Sequence, residues 1–306
     1  MREYALKAEL IINQTAGGGK SQKYIPKILN YFDSLPDFEY QVSYTPASGE
    51  AAALSLQAAE RGVDTIISVG GDGTINEIIN GILQSTRQPA LGIIPAGWAN
   101  DFIKSVPIPK DIRYSCHIIS QQKTKMIDVA LINKHTCYVN IFGIGLDANI
   151  AALANMMKTK YPNWKTLSAY VYVFATIKTL LSPIPFFQAK ITIDNQTIEG
   201  EMLLVAVANG QTEGGKFKIA PEAEIDDGLL DIYIIRKINR FRCLYFFPKA
   251  MNGTHLGIRE VSFYRGKEIF IETTKPVTAQ VAGEILPAEN HYHIQLLPGK
   301  LKLIVP

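Results

Sequence analysis

The sequence predicts an α/β protein, with a parallel sheet in its N-terminal part and a β-rich sandwich in its C-terminal part. Over roughly the first 110 residues, short apolar runs alternate with helical patterns. The runs themselves are apolar with little interruption, as in the strands of a parallel sheet that is covered on both faces. Beyond about residue 125, short runs follow one another closely, which is typical of antiparallel strands.

The N-terminal elements are four strands and three helices. Each predicted strand is an apolar run flanked by glycine, proline or polar residues. The second helix is predicted to begin at Ser48, because serine caps helix N-termini and an alanine-rich segment follows it. The predicted strands are residues 8–13, 38–44, 64–71 and 89–97, and the predicted helices are about 21–33, 48–62 and 74–83.

The C-terminal strands are predicted at 125–133, 136–145, 189–195, 197–209 and 229–237, with shorter runs up to 301–306. One helical block, at about 147–182, interrupts them. Near residue 125 the pattern changes from alternating strands and helices to consecutive strands, which predicts two domains, 1–125 and 126–294.

The composition is that of an ordinary globular protein. Its 306 residues suffice for one large domain or two medium ones, and Lys+Arg 31 against Asp+Glu 28 leaves a net charge of +3. This balance argues against nucleic acid as a partner, since a dedicated binder carries a concentrated basic stripe. Cys116, Cys137 and Cys243 form no CxxC pair, so we expect no disulfide framework or zinc site, and we favour a cytoplasmic setting.

No secretory signal or membrane-spanning segment is expected. The opening “MREYALKAELIINQ” soon becomes polar, and the most apolar stretch, 169–187, is broken by Lys178, Pro183 and Pro185. We therefore predict a soluble protein. The segment 155–181 mixes lysines with aromatic residues at near-helical spacing, which fits either a core-facing helix or the rim of a lipid pocket that dips into a membrane surface.

Two glycine-rich loops follow predicted strands, and neither matches a common nucleotide motif. “GGGKS” at 17–21 resembles the end of a Walker A loop, but Gln14 stands where that motif needs glycine. Gly71 and Gly73 match the start of GxGxxG, but Asn76 occupies the third glycine position. Asp72 would also repel a pyrophosphate at the helix N-terminus, so a dinucleotide dehydrogenase is disfavoured.

A carboxylate such as Asp72 is suited to a nucleotide whose phosphates carry a bound metal ion. At the carboxyl end of a strand it could hold Mg²⁺ between a nucleotide's phosphates, while the flanking glycines let the backbone approach. The following helix, expected from about Ile75, would supply N–H groups. The alternative is a plain helix-capping turn.

The continuation of this loop resembles one superfamily in particular. “GGDGTINEIING” (70–81) followed by “LGIIPAGWANDFIKS” (91–105) is similar to the catalytic domain of diacylglycerol and sphingosine kinases, of the bacterial soluble lipid-kinase type. GGDGT alone also occurs in NAD kinases and phosphofructokinases, which implies their fold for the first domain, completed by about 295–306. Other family-like segments are “LIINQTAGGGK” (10–20), “YTPASGEAAALSLQAA” (44–59), “YVNIFGIGLDANIA” (138–151), “APEAEIDDGLLDI” (220–232) and “QVAGEILP” (280–287).

The resemblance implies a role for each matching residue. Asp72 and Asp101 would surround the catalytic metal, and Glu284 would be the general base, with a raised pKa suited to that task. Asp147 would belong to a supporting polar network. The nucleotide would contact Asn13, Thr45, Gly70, Gly71, Asp72, Gly73, Thr74, Glu77, Trp98 and Asn100, and a second, structural Mg²⁺ would bind Glu224, Asp227 and Leu229.

Three positions depart from the family pattern. Trp98 stands for threonine and would stack on the base or fill the pocket, Lys104 stands for arginine, and Ala282 stands for the aspartate before Gly-Glu. The resemblance still implies an ATP- and Mg²⁺-dependent lipid kinase that phosphorylates diacylglycerol or a related lipid at a membrane surface, and it allows a homodimer. The alternatives are a lipid- or nucleotide-binding member without activity and an NAD kinase-like enzyme for another small hydroxyl substrate.

Overall fold

The computed structural model describes residues 5–47, 49–161, 168–183 and 186–306. The chain divides into two compact units. Unit 1 is Met1–Ile127 with Gly299–Pro306, and unit 2 is Asp128–Pro298. The assignment of nucleotide to the first predicted domain and lipid to the second stays a prediction.

Unit 1 is built on a parallel sheet. Its strands are β1 (Leu6–Ile12), β2 (Phe38–Tyr44), β3 (Thr65–Gly70) and β4 (Ala90–Pro95), in the order β4-β3-β1-β2. The end of the last strand, β13 (Glu284–Ile304), lies parallel to β4 with Leu303 opposite Leu91. All six residues of β3 and all six of β4 are buried, as the uninterrupted apolar runs predicted.

The helices of unit 1 are α1 (Lys20–Asp33), α2 (Glu50–Glu60), α3 (Asp72–Gln84), α4 (Phe102–Ser105) and α5 (Ile112–Gln121), and a short 3₁₀ turn spans Ala16–Gly18. The sequence did not predict α4 and α5. The signal for α5 was present, because Asp111 caps it by accepting a hydrogen bond from the Tyr114 N–H at 2.8 Å. Ser48 lies outside the described residues, and the N-cap of α2 is Gly49.

Unit 2 is rich in antiparallel strands. They are β5 (Thr124–Ile132, which begins in unit 1), β6 (Thr136–Tyr138), β7 (Ile141–Gly145), β8 (Phe187–Ile193), β9 (Gln196–Ala208), β10 (Leu230–Arg236), β11 (Val261–Gly266), β12 (Glu268–Val281) and most of β13. The path β11-β10-β9-β7-β12-β13 joins neighbours by hydrogen bonds, and β8 pairs with both β9 and β12. Their apolar side chains form one large core cluster that includes Tyr138, Phe142 and Ile232.

Within the residues that the structure describes, three helices accompany these strands: α6 (Leu146–Lys160), α7 (Ser168–Leu181) and α8 (Arg240–Asn252). The prediction of a single helical block is therefore wrong, because α8 is a further helix. The sequence did not predict α8, because Pro248 lies inside this helix and proline usually ends a helical pattern. In the part of the chain that the structure describes, no helix is both long and apolar enough to cross a membrane.

Candidate functional site

The polar residues of unit 1 gather at the carboxyl ends of its parallel strands. Asn13 follows β1, Thr45 follows β2, Gly71 follows β3 and Gly97 lies just beyond β4. Because parallel strands end at the same edge of the sheet, this is the edge at which open α/β sheets bind ligands. The structure therefore brings the predicted nucleotide residues of unit 1 to one edge.

Two glycine loops lie against each other at this edge. The N–H groups of Ala96 and Gly97 donate to the Gly70 carbonyl at 2.8 and 2.9 Å. A Cβ atom added to Gly97 would lie 2.4 Å from the Gly71 Cα, so neither backbone can carry a side chain there without moving. The glycines thus keep the backbone bare where a phosphate would approach.

Thr74 links the loop to the end of β1. It is 5% exposed, and its hydroxyl accepts a hydrogen bond from Asn13 Nδ2 at 3.0 Å. A Cβ atom on Gly70 would lie 2.5 Å from Thr74 Oγ1, so the glycine makes room for this contact. Gly71 is the N-cap of α3 and has no side chain to bond the first turn of the helix.

Asp72 is the first residue of α3 rather than part of the preceding turn. Its Oδ1 accepts a hydrogen bond from the Phe102 N–H at 2.9 Å, which ties it to the segment after β4. Burial and then the negative charge of Asp101 raise the pKa of Asp72 to about 6. The site therefore holds two carboxyl groups close enough to repel each other.

Asp101 and Asn100 complete this cluster. Asp101 is 4% exposed, and its Oδ1 lies 2.6 Å from the Lys104 ammonium. Lysine thus supplies here the charge that the family pattern gives to arginine. The Asn100 side chain accepts from the Gly97 N–H at 3.1 Å and donates to the Gly97 carbonyl at 3.0 Å, so it stabilises the glycine loop.

Two predicted nucleotide residues make other contacts. The Glu77 carboxylate accepts hydrogen bonds from the N–H groups of Gly49 and Ala51, at 2.8 and 3.0 Å, and so caps α2. The Trp98 ring lies under the Lys20 ammonium, 4.3 Å from the ring centroid. The nucleotide contacts of these two residues, like those of the other eight, stay predictions.

In unit 2, Glu284 follows a tight hairpin between β12 and β13. Val281 pairs with Glu284, and the two residues between them, Ala282 and Gly283, have φ angles of 52° and 80°. Positive φ at both central residues is what a type I′ turn requires. Glu284 is exposed, and its raised pKa stays a prediction.

Two carboxyl groups gather around a buried amide beside this hairpin. Gln280 is fully buried; its Nε2 donates to Asp147 Oδ2 at 2.6 Å and also to Glu213 Oε1, while its Oε1 accepts from the Gly283 N–H at 2.9 Å. Burial raises the pKa of Asp147. A Cβ atom on Gly143 would lie 1.9 Å from Asp147 Oδ2, so that glycine makes room for the cluster.

The turn proposed for the structural Mg²⁺ is already held by protein groups. Asp227 Oδ1 accepts from the Leu229 N–H at 3.0 Å, and Asp128 Oδ2 accepts from the Gly228 N–H at 2.7 Å. Arg265 Nη1 lies 4.0 Å from Asp227 Oδ2. The carboxylates and carbonyls of this turn offer oxygen ligands, which Mg²⁺ prefers. Among the described residues, no group of three or more His, Cys, Asp or Glu side chains is arranged to hold a metal.

Sequence reasoning missed Gln280, Glu213 and Asn155. Asn155 Nδ2 donates to the Gly283 carbonyl at 2.8 Å, so two amide side chains hold the hairpin before Glu284. Gln280 offered one signal, because it is a polar residue among the apolar residues that end β12. Glu213 and Asn155 offered none, since their contacts come from distant parts of the chain.

The whole chain matches kinases. The family model “Diacylglycerol kinase catalytic domain” matches residues 7–132, and “YegS C-terminal NAD kinase beta sandwich-like domain” matches residues 140–305. The chain therefore belongs to the diacylglycerol kinase family, as the motifs indicated, and the predicted fold class of parallel α/β domain and β sandwich is confirmed. Family membership implies ATP as the phosphoryl donor.

Relatives from bacteria are similar over nearly the whole chain. A diacylglycerol kinase of Bacillus subtilis is 28% identical over 303 residues, which is 97% of each chain. One of Staphylococcus haemolyticus is 30% identical over 90% of this chain and 82% of its own. A crystal structure of a diacylglycerol kinase from Bacillus anthracis superposes with a TM-score of 0.75 at 27% identity, covering 100% of this chain and 98% of that one. Yeast NADH kinase, with a TM-score of 0.55 at 13% identity, shares the fold alone.

Proposed function

We propose that this protein is an ATP-dependent lipid kinase that phosphorylates a free hydroxyl of diacylglycerol or a closely related lipid. The observation that carries the proposal is the pair of carboxyl groups, Asp72 and Asp101, beside two bare glycine loops at the carboxyl edge of the parallel sheet. The names of the relatives support a lipid acceptor.

Unit 1 supplies the nucleotide groups in this proposal. The phosphates of ATP bind the backbone between Gly70 and Thr74 and the first turn of α3, whose N–H groups attract anions. Asn13, Thr45, Trp98 and Asn100 contact the rest of the nucleotide. Phosphoryl transfer depends mostly on such positioning and on neutralising charge.

Asp72 and Asp101 would hold Mg²⁺ that arrives with ATP. Their mutual repulsion, which raises the pKa of Asp72, is the condition that a divalent cation relieves. When bound, Mg²⁺ neutralises charge on the phosphates. We propose that the carbonyls of Glu224 and Leu229 and the carboxylate of Asp227 hold a second, structural Mg²⁺.

Unit 2 supplies the base. Glu284 accepts the proton of the lipid hydroxyl as its oxygen attacks the γ-phosphorus, and the bond from that phosphorus to the β–γ bridging oxygen breaks to release ADP. Gln280 and Asn155 position Glu284 by holding the adjacent Gly283 through its N–H and its carbonyl. Asp147 orients Gln280 in turn.

The test follows phosphate from radiolabelled ATP into a panel of lipids in mixed micelles with Mg²⁺. The panel contains diacylglycerol, monoacylglycerol, ceramide and sphingosine, and NAD serves as a soluble acceptor. The test variant is Asp72→Ala. Its control is His291→Ala, since His291 is exposed and outside the site.

We expect label in diacylglycerol with the wild-type protein and with His291→Ala, and none with Asp72→Ala. Label in NAD alone would replace the proposal with a soluble-substrate kinase. ATP binding without transfer to any acceptor would replace it with a nucleotide-binding protein without activity.

A further inference from the structure

One face of α6 lies along the hairpin that precedes Glu284. Asp147, in the first turn of α6, bonds the end of β12, and Asn155 donates to the Gly283 carbonyl at 2.8 Å. Lys158 lies about three turns after Asp147, and so on the same side of the helix. Lys158 therefore belongs to the face of α6 that contacts the hairpin.

The ring of Tyr172, on α7, connects Lys158 to this hairpin. The Lys158 ammonium lies 4.4 Å from the Tyr172 ring centroid. A Cβ atom on Gly283 would lie 2.9 Å from the Tyr172 hydroxyl oxygen, and one on Gly214 would lie 3.6 Å from the Tyr172 Cδ1. The hydroxyl end of the ring thus reaches the residue before Glu284, while the face of the ring holds the ammonium.

Among the residues that the structure describes, no carboxylate forms an ion pair with the Lys158 ammonium. Residues 148–193, which include the rest of α6 and all of α7, contain no aspartate or glutamate. The side chain is partly buried, and this burial lowers the pKa of Lys158 to about 8. An ammonium group that has lost water without gaining a counter-charge is stabilised by an oxygen acceptor that binds beside it.

The ordinary role of a lysine at a helix end does not explain this placement. Lys158 and Lys160 both lie in the last turn of α6, where the helix dipole favours cations. Lysines in such positions usually extend their ammonium groups into water. Lys160 is exposed, whereas the Lys158 ammonium lies over the Tyr172 ring. The helix dipole therefore accounts for Lys160 but not for the burial of Lys158.

We propose that Lys158 determines specificity for the acceptor lipid by donating a hydrogen bond to an ester carbonyl next to the hydroxyl that is phosphorylated. In diacylglycerol that carbonyl belongs to the acyl chain on the neighbouring carbon atom. Because the Tyr172 ring joins the ammonium to the hairpin before Glu284, one acceptor can place its hydroxyl at the base and its carbonyl at Lys158. This role rests on the proposed function and names its class of acceptor, a glycerolipid with an ester-linked chain.

Two other classes of lipid hydroxyl fit this arrangement less well. An alkyl ether lipid has no carbonyl, and so would leave the ammonium without a strong acceptor. A long-chain amino alcohol such as sphingosine carries an ammonium group next to its hydroxyl, and the charge of Lys158 would repel it. The arrangement thus favours ester-linked glycerolipids over both classes.

The test compares two acceptors that differ only in their carbonyl groups. They are dioctanoylglycerol and its dialkyl ether analogue of the same chain length, each presented to the full-length protein in the same mixed micelles with saturating ATP and Mg²⁺. The variant is Lys158→Met, which removes the ammonium and keeps an unbranched side chain. Its matched control is Lys160→Met, which removes an exposed lysine from the same turn of α6. Lys158→Arg tests whether another cationic donor preserves the effect.

We expect the wild-type protein and Lys160→Met to phosphorylate the ester more efficiently than the ether. Lys158→Met should lower kcat/KM for the ester about tenfold or more, because a hydrogen bond from a charged group contributes at least that factor. The loss should fall on KM rather than kcat, since the carbonyl is bound alike before and during phosphoryl transfer. On the ether, Lys158→Met should match the wild-type protein, and Lys158→Arg should keep most of the preference for the ester.

Equal losses on ester and ether would make Lys158 a structural residue and overturn the proposal, as would an unchanged kcat/KM for the ester. No phosphorylation of either lipid by the wild-type protein would overturn the proposed function and this role together, so the two failures are distinguishable. Circular dichroism must show that each variant is folded. Lys158→Leu serves as a second neutral variant, so that the comparison does not depend on the folding of one protein.

Discussion

At Asp72 two opposing effects act on one carboxyl group. Burial and the charge of Asp101 favour the neutral form, whereas hydrogen bonds from backbone N–H groups and the charge of Lys104 favour the carboxylate. The first effects prevail, because the pKa rises to about 6. Keeping Asp72 in its carboxylate form therefore costs free energy, and a bound cation would remove that cost.

Ala282, which departs from the family pattern, has a strained backbone conformation. Its φ of 52° lies in the left-handed region, which asparagine and glycine adopt more readily than alanine. Ala282→Asn should therefore raise the free energy of unfolding by about 1 kcal/mol. Urea unfolding measures this change.

The control for this prediction is Ala282→Val, which places a β-branched residue at the same φ and should destabilise the protein. If asparagine and valine change the unfolding free energy alike, the hairpin does not carry the strain.

Two elements, α2 and α3, approach each other unusually closely. Gly81 lies in the middle of α3, and a Cβ atom there would lie 2.0 Å from Ser55 Oγ and 2.1 Å from the Ala52 carbonyl oxygen. This contact explains why glycine stands inside a helix, where it costs about 1 kcal/mol relative to alanine. Close packing of α2 also lets Glu77 reach its first turn.

Gly81→Ala should lower the free energy of unfolding by about 1–3 kcal/mol, although helix propensity alone would raise it. Thermal and urea unfolding test the sign. Gly257→Ala is the matched control, since a Cβ atom there meets nothing within 4 Å. If Gly81→Ala stabilised the protein instead, the prediction would be contradicted, because α2 could then move away from α3 at little cost in free energy.

Much of the element order in unit 1 could be predicted, because strand and helix periodicities alternate clearly there. β2 was predicted to the residue, and the loop containing Asp72 was located from its glycines and its motif. The helix α3 begins at Asp72, two to three residues before the predicted start, because glycine and aspartate are typical of a turn. Contacts such as Gln280 with Asp147, or Glu77 with Gly49, join distant segments and leave no local pattern to read.

Over the whole molecule, buried ionisable groups make stability depend on pH in opposing directions. Burial lowers the pKa of His255, which is 2% exposed. The unfolded chain then binds a proton that the folded protein does not, so this histidine reduces stability as pH falls through about 6.5. The pKa values of Asp72 and Asp231 are raised to about 6, so these groups increase stability as pH falls from there towards about 4.

His255→Gln should remove the first contribution alone. Relative to wild type, the variant should gain stability as pH falls from about 7 to about 5, whatever its stability at neutral pH. Urea unfolding at several pH values measures the difference. The control is the exposed His291→Gln, which should keep the wild-type slope, and an unchanged slope in His255→Gln would contradict the assignment.

The central claim, that this chain moves phosphate from ATP to a lipid hydroxyl with Glu284 as the base, is tested most directly by the reaction products. ADP and phosphorylated lipid are quantified together after incubation with ATP, Mg²⁺ and diacylglycerol, the lipid by mass spectrometry. The account predicts equimolar ADP and monophosphorylated diacylglycerol from the wild-type protein, and a loss of at least about 100-fold in rate for Glu284→Gln. ADP formation without phosphorylated lipid, or a Glu284→Gln variant as fast as wild type, would contradict it.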